Sequence, residues 1–349
     1  MLASFTIAVG AIVLSATLTG LAAAGPFEDA GLAYQRRDYA TALQILTKLA
    51  YGGDLRAQHN IGVIYLHGRG VARDGAEAAK WFRMAAERNF VPSAYMLGQM
   101  YERGEGVPRD DAEALKWFRV AAELGDAKAR YAIGIFYTTG RGVGADATEA
   151  MRWFRLAADQ GLAPAQYNVG TMYAEGRGAP QDYAEAAAWF RKAAEQCDAG
   201  AQCSLGVLYG AGNGVPQDYA EAMRWYRLAA DQGLALGQYN VGLAYANGEG
   251  VAQDDVEAVA WLRKAAEQGL SQAQNNLGAM YFAGRGVAQD DVEACMWFTL
   301  AVASAAPSEA AYRDSATKNL ARVTQRMPAA QVEEAQQRAL RWAAHATPR

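Results

Sequence analysis

Tryptophan recurs every 36 residues along most of the chain, and this spacing constrains the fold more than any other feature. The series consists of Trp81, Trp117, Trp153, Trp189, Trp225, Trp261 and Trp297. Glycine and tyrosine recur with the same period, from Gly62 to Gly278 and from Tyr65 to Tyr281. Self-similarity at a fixed period of this length is the signature of tandem structural repeats. The sequence therefore predicts seven consecutive copies of one unit.

Each copy contains two stretches with the apolar spacing of an amphipathic helix. In the first copy, Ala57 and Ile61 mark one helix, and Ala78 and Phe82 mark the other. Between them lies a glycine-bearing turn at residues 68–71, where glycine permits positive φ angles. Because one such helix pair cannot cover both of its faces, its stability must come from packing against neighbouring pairs.

The ends of the second helix are marked in the sequence. An aspartate precedes it in every copy, from Asp74 to Asp290, with a glutamate such as Glu77 three residues later. This is the spacing of a capping box, which satisfies free backbone N–H groups. In five copies the residue just past the helix is glycine or asparagine, which tolerate a left-handed conformation. Cys197 and Ala305 are the exceptions.

Taken together, these positions form the pattern A-x-x-x-[hydrophobic]-G-x-x-Y-x-x-G-x-G-V-x-x-D-x-x-E-A-x-x-W-F-x-x-A-A, and residues 54–305 match it in seven copies. The pattern resembles the Sel1-like repeat, a relative of the tetratricopeptide repeat with a longer glycine-bearing turn. The resemblance implies an all-α fold, a right-handed α-solenoid of stacked helix-turn-helix repeats. It also implies a protein or peptide partner, since such repeat proteins are often envelope or signalling adaptors.

Segments on either side of the repeats are expected to cap the stack. Residues 27–53 keep the phase of the repeat without its glycine turn and resemble a plain tetratricopeptide unit. Residues 306–349 lose the repeat, and we predict two helices there, one from Ser308 to Gln325 and one beginning near Pro328. Terminal capping units of this kind shield the apolar ends of repeat arrays.

The first 24 residues have the composition of an export signal. No charged side chain occurs from Met1 to Phe27, and an apolar stretch ends in small residues that fit cleavage after Ala24. The segment predicts a signal peptide and a periplasmic or secreted protein. An uncleaved membrane anchor is the alternative, because 20-odd uncharged residues can also span a bilayer. Contact with a membrane is expected only in that case.

Charge and metal-binding residues exclude several classes of function. With 33 basic and 37 acidic side chains the formal net charge is −4, which does not favour nucleic-acid binding. The three cysteines, Cys197, Cys203 and Cys295, have no metal-site spacing, and the chain has only three histidines. We therefore expect neither a metal nor a cofactor. Whether Cys197 pairs with Cys203 stays open.

We find no catalytic constellation in the sequence, so we expect no enzymatic activity. The paired turn glycines join two helices and recur with the repeat, unlike a nucleotide-binding loop. Ser315 and Lys318 match the S-x-x-K motif of penicillin-recognising enzymes, but K-T-G and S-D-N are absent. A hydrolase acting on cell-wall or β-lactam substrates is the alternative function, since some cysteine-rich relatives have been linked to that activity. This chain lacks their paired cysteine in each repeat.

Arginine also recurs on the second helices, and each copy has an acidic residue four positions later. The series is Arg83, Arg119, Arg155, Arg191, Arg227 and Arg263. Arginine and a carboxylate four residues apart share one helix face. We therefore favour a solvated, ion-paired outer face over a track that binds anions.

A row rich in tyrosine on the first helices is the best candidate for partner binding. It lies on a different helix face from Ile61 and Tyr65, and in similar repeat proteins this face lines the concave groove. The predicted partner-binding residues are His59, Tyr95, Gln99, Tyr131, Tyr167, Thr171, Tyr239 and Asn275. Tyrosine suits this role because it offers a rigid apolar ring with a polar tip. An equally weighted interpretation is that these tyrosines pack between adjacent repeats.

For the oligomeric state, we favour a monomer.

Overall fold

The computed structural model describes residues 25–346, and within that range it contains α-helices, one short 3-10 helix and no β-strand. The α-helices are α1 Pro26–Gln35, α2 Tyr39–Tyr51, α3 Leu55–His67, α4 Gly75–Ala86, α5 Val91–Arg103, α6 Asp111–Glu123, α7 Ala127–Thr139, α8 Ala147–Ala158, α9 Ala163–Glu175, α10 Tyr183–Glu195, α11 Ala199–Ala211, α12 Tyr219–Asp231, α13 Ala235–Asn247, α14 Asp255–Glu267, α15 Ser271–Ala283, α16 Asp291–Ser304, α17 Ala310–Thr324 and α18 Ala329–Ala346. The 3-10 helix is Pro307–Glu309. Consecutive helices pack in pairs, and the predicted all-α repeat fold is confirmed.

The helices are distributed over two compact units. Unit 1 runs to Ala165 and includes Arg177–Ala179, whereas unit 2 consists of Gln166–Gly176 and the chain from Pro180 onward. Unit 1 holds α1 to α8, and unit 2 holds most of α9 and all of α10 to α18. The predicted leader of residues 1–24 lies outside the described residues. No helix between residues 25 and 346 has the length and apolarity to cross a membrane.

The aspartates that precede the second helices cap them as predicted. The carboxylate of Asp110 accepts hydrogen bonds of 3.0 Å from the backbone N–H groups of Ala112 and Glu113. The glutamate of the predicted capping box has other partners. Glu113 accepts from Lys116 Nζ at 3.0 Å and from Trp117 Nε1 at 2.9 Å. This glutamate therefore anchors the tryptophan of its own helix.

In five of the seven repeats, contact between the two helices involves a glycine of the first helix that faces a phenylalanine of the second. A Cβ atom placed on Gly134 would lie 2.5 Å from Cδ1 of Phe154. The same substitution at Gly98 would bring Cβ to 2.7 Å from Cδ1 of Phe118. Since real side chains do not approach so closely, this glycine lets the aromatic ring lie directly against the helix backbone.

We expect Gly134→Ala to lower the free energy of unfolding by about 1 to 3 kcal/mol, because overpacking at Phe154 outweighs the better helix propensity of alanine. Gly144→Ala is the matched control, since no atom lies within 4 Å of its added Cβ. Urea unfolding of both variants measures the difference. Equal stability of the two variants would contradict the packing described for Gly134.

Neighbouring repeats are joined by buried glutamines. In unit 2, Gln238 Nε2 donates to the carbonyl of Ala230 at 3.4 Å, which connects α13 to the end of α12. Its Oε1 atom accepts from Gln268 Nε2 at 2.8 Å, which ties it to the end of α14. Gln202 and Gln232 repeat the second of these contacts at 2.8 Å. These bonds satisfy carbonyl groups at the helix ends and fix the register of adjacent repeats.

Cys197 adopts a left-handed conformation although its side chain disfavours it. Its φ angle is 65°, close to the 85° of Gly233 and the 84° of Gly269 in the same place of later repeats. The chain therefore turns in the same way here as in its neighbours, even though the sequence marked Cys197 as an exception. Ala305, the other exception, has a φ angle of −64°.

Because a side chain in this region costs about 1 kcal/mol or more, we expect Cys197→Gly to stabilise unit 2 by about 1 kcal/mol. Cys197→Ala is the control, since it removes the thiol and retains the Cβ atom. Thermal unfolding of both variants separates the two effects. A gain in stability that is the same for alanine and glycine would contradict the backbone explanation.

The ends of the array are closed by the additional helices. In unit 1, Phe27 of α1 and Leu46 of α2 belong to the same apolar cluster as Ile61 of α3. In unit 2, Trp342 of α18 packs edge-on against Trp297, with ring centroids 5.3 Å apart. These helices cover apolar surface where no further repeat follows.

Candidate partner-binding site

The first helices of unit 2 present a continuous set of exposed or half-buried side chains. On α13, Leu236, Tyr239, Asn240 and Leu243 are spaced to lie on one face, and Leu236 is 44% exposed. We call this surface the first-helix face. Its residues in unit 2 are Tyr167, Asn168, Thr171, Ser204, Val207, Leu236, Tyr239, Asn240, Leu243, Gln272, Asn275, Asn276 and Ala279.

Polar contacts connect adjacent helices across this face. Asn240 Nδ2 donates to Sγ of Cys203 at 3.4 Å, and Asn276 Nδ2 donates to the hydroxyl of Tyr239 at 3.4 Å. Asn319 of α17 donates to Oδ1 of Asn275 at 2.9 Å. The predicted site residues Tyr239 and Asn275 therefore link neighbouring helices.

Three of the four tyrosines in the predicted row pack on the phenylalanines of their own repeats. Ring centroids lie 5.7 Å apart for Tyr95 and Phe118, and 5.7 Å apart for Tyr167 and Phe190. The pair Tyr131 and Phe154 is similar, at 5.6 Å. Burial raises the pKa of Tyr95 to about 12. Each ring is half-buried, so part of it packs inside the repeat and part reaches the surface.

His59 and Gln99 lie inside the helix packing of unit 1. The side chain of His59 is 3% exposed, and its Nδ1 atom is 3.0 Å from Oγ of Ser93. Burial lowers the pKa of His59 to about 4, because an apolar environment disfavours the charged imidazole. Gln99, at 8% exposure, donates to the hydroxyl of Tyr95 at 3.1 Å. These two members of the predicted row therefore offer almost no surface to a partner.

The arginines of the second helices have different partners from those that we predicted. Arg119 donates to the hydroxyl of Tyr137, 18 residues later, at 2.9 Å. Arg191 does the same with Tyr209 at 2.6 Å, and the other pairs are Arg83 with Tyr101, Arg227 with Tyr245 and Arg263 with Tyr281. The predicted ion pairs four residues apart are replaced in these copies by a bond to the next repeat's first helix. These arginines therefore stabilise the stack.

A cleft of about 690 Å³ in unit 2 lies where α18 meets α14, α15 and α16. Arg338 lines it and pairs with Glu293 at 2.7 Å. Arg263, also in its lining, donates to the hydroxyl of Tyr281. Since its charged groups have partners within the chain, this cleft does not favour an anionic ligand.

The two residues of the S-x-x-K motif lie on the surface of unit 2. Ser315 and Lys318 are both exposed on α17. Burial raises the pKa of the Cys203 thiol to about 12, which opposes formation of a reactive thiolate. All three cysteines are free thiols, and no group of three or more metal-ligating side chains occurs in the described part of the chain.

The seven helix pairs from α3 to α16 match the model of one known repeat family. The model of the Sel1 repeat matches residues 55–90, 91–126, 127–162, 163–196, 199–234, 235–270 and 271–304. This chain belongs to the Sel1 repeat family. The seven matched Sel1 repeats coincide with the helix pairs from α3 and α4 to α15 and α16.

Solved structures of Sel1 repeat proteins are similar to this chain. A Sel1 repeat protein from Oxalobacter formigenes is 35% identical, with 83% of this chain and 85% of that chain covered and a TM-score of 0.65. A protective antigen of uropathogenic Escherichia coli strains displaying an SLR fold is 29% identical, with 91% and 83% covered and a TM-score of 0.45. A search of curated proteins finds no match.

Proposed function

We propose that this Sel1 repeat protein is an exported scaffold that binds a protein or peptide partner on its first-helix face. The observation that carries the proposal is the combination of exposed apolar and half-buried polar side chains on that face. Leu236 and Val207 are each 44% exposed there, beside the half-buried Tyr239 and Asn240. Apolar anchors with polar neighbours are typical of protein interfaces. Proteins built from such helical repeats generally act as scaffolds for protein partners.

Two exposed leucines of unit 2 offer a matched test of this proposal. Leu236 lies on the first helix α13 and is 44% exposed, whereas Leu228 lies on the second helix α12 and is 39% exposed. A photo-crosslinking amino acid at position 236 should capture a discrete partner in cells. The same group at position 228 should not, because it lies on the other helix of a repeat.

A second pair of variants tests whether the captured protein depends on this face. Leu236→Glu should abolish capture from a crosslinker placed at Asn168, and Leu228→Glu should leave it unchanged. Capture at positions 228 and 236 alike, or capture that survives Leu236→Glu, would contradict the assignment of the face.

Export rests on the leader of residues 1–24, whose uncharged composition supports a cleaved signal. In this proposal the mature chain begins at Gly25 and works in the bacterial periplasm or outside the cell. Cell fractionation and N-terminal sequencing test this directly. A chain recovered from the membrane with Met1 intact would instead support the anchored form.

A further inference from the structure

In unit 2, the first-helix face contains a pocket of about 300 Å³ between the fifth and sixth of the chain's seven repeats. Its walls come from α11, α12 and α13, and the turn after α13 closes one side. The residues that define it are Val207, Tyr219, Tyr226, Asn240, Leu243 and Glu249. Three of these, Val207, Asn240 and Leu243, belong to the first-helix face, so the pocket lies on the proposed binding surface. Its volume is at the lower end of the range for ligand pockets, roughly 300 to 1,000 Å³.

The part of the chain around the pocket departs from the repeat. Cys203 replaces the tyrosine found at Tyr167 and Tyr239, and Tyr226 replaces the phenylalanine found at Phe190. The hydroxyl of Tyr226 lies 3.4 Å from where a Cβ atom of Gly210 would be. A small residue at Gly210 therefore leaves room for that hydroxyl beside the pocket. A cysteine in place of a tyrosine and one added hydroxyl distinguish this place from the neighbouring repeats.

The turn of the sixth repeat also lacks an arginine that four of the other turns have. In the seventh repeat, Arg285 forms an ion pair of 2.6 Å with Asp255 of the repeat before it. In the third, Arg141 pairs with Asp111 at 2.7 Å. Arginine occupies this turn position in four of the seven repeats, whereas between the fifth and sixth repeats the two positions of the pair hold Tyr219 and the carboxylate Glu249.

Glu249 has no cationic partner among the described residues. It accepts a hydrogen bond of 3.3 Å from Asn247 Nδ2, and no lysine or arginine lines the pocket. Asn240 donates its amide N–H to Cys203, which leaves its amide oxygen as a second acceptor. The pocket thus combines a carboxylate, an amide oxygen and two phenol rings, and these groups match a guanidinium ion.

We propose that this pocket binds one arginine side chain of the partner. The guanidinium pairs with Glu249 through charge-assisted hydrogen bonds, and the aliphatic stem lies against Val207 and Leu243. The rings of Tyr219 and Tyr226 supply flat surfaces on which a guanidinium stacks. The partner's arginine thus supplies a positive charge next to Glu249, which this turn itself does not provide.

A small arginine compound tests the pocket without the partner. The full chain is labelled with fluorotyrosine, and the ¹⁹F signals of Tyr219 and Tyr226 are assigned with Tyr219→Phe and Tyr226→Phe variants. Titration with Nα-acetyl-arginine methylamide should shift both signals in a saturable manner. The citrulline analogue has the same shape without the charge, and its affinity should be lower by about tenfold or more. Equal binding of the two compounds, or no saturable shift, would overturn the proposal.

Two variants separate the pocket from general effects on the fold. Glu249→Gln keeps the shape of the side chain and should weaken binding of the arginine compound by about tenfold or more. The double variant Tyr219→Asp, Glu249→Arg rebuilds the pair seen between Asp255 and Arg285. It should fold with an unchanged or higher thermal midpoint and lose the arginine-dependent shift at Tyr226. Undiminished binding by a folded double variant would contradict the assignment.

This inference deepens the proposed function, because the biological source of the arginine is the partner on the first-helix face. The two proposals nevertheless fail separately. Binding of the arginine compound without partner capture at Leu236 would count against the scaffold function alone. Partner capture that persists when the arginine compound shows no binding would count against the pocket alone.

Discussion

Replacing Trp189 by alanine should lower the free energy of unfolding by about 3 to 5 kcal/mol and divide unfolding into separate transitions. Trp189 is 5% exposed, and Lys192 Nζ lies 3.8 Å from the centroid of its ring. A buried aromatic side chain removes about 150 to 250 Å² from water. In a repeat protein each unit depends on its neighbours, so weakening one repeat uncouples the segments on either side.

Urea unfolding followed by circular dichroism measures this effect. Leu228→Ala serves as the control, because Leu228 is 39% exposed and its truncation should change stability by about 0.5 kcal/mol or less. A Trp189→Ala variant that keeps the midpoint and cooperativity of the parent chain would show that the repeats do not depend on this contact.

Acidification from pH 7 to pH 4 should destabilise unit 1 through His59, by about 2 to 3 kcal/mol. The buried imidazole has a pKa lowered from 6.5 to about 4, so the folded chain holds it neutral over this range. The unfolded chain takes up the proton below pH 6.5, and the folded chain does so only near pH 4. Stability from this residue is therefore fully present above pH 6.5 and is lost as the pH falls towards 4.

His59→Gln isolates the contribution, since glutamine does not titrate and can still bond to Ser93. The stability difference between the parent chain and this variant, measured by urea unfolding at several pH values, should shrink by the stated amount between pH 7 and pH 4. A difference that stays constant over the same range would show that His59 is not held neutral by burial.

Features that occur in every repeat could be predicted from the sequence, because the same residue types recur at the same positions in each copy. Asp110 and its equivalents cap the second helices, and the turn glycines adopt positive φ angles, such as 69° at Gly140. These features involve residues within one helix pair, and their spacing is visible in the sequence. The family assignment and the helix order follow from the same periodicity.

Contacts between helices could not be predicted in this way. The bond from Arg119 to Tyr137 and the bond from Gln268 to Gln238 depend on how one helix packs on another. From the sequence we paired Arg119 with the acidic residue four positions later, because residues at this spacing lie on one face of any helix. Tyr219 and Glu249 occupy the positions of an aspartate–arginine ion pair. We did not recognise this from the sequence, because it becomes visible only by comparison with the ion pair that Asp255 and Arg285 form in the structure.

The burial of the predicted binding row also depended on the fold. Tyr95 and Tyr167 combine both interpretations that the sequence left open, because each ring packs on a phenylalanine while remaining half-buried. His59 occupies the same place in the first repeat, yet it is enclosed by Phe82 and Phe90, with ring centroids 5.2 and 5.7 Å away. Residues at equivalent positions therefore differ in their availability to a partner.

Hydrogen–deuterium exchange with the captured partner tests the central claim most directly. Partner binding on the first-helix face should slow exchange in α11, α13 and α15 more than in α12 and α14. Slowed exchange confined to the second helices would contradict the claim, because it would place the partner on the other face of the repeats.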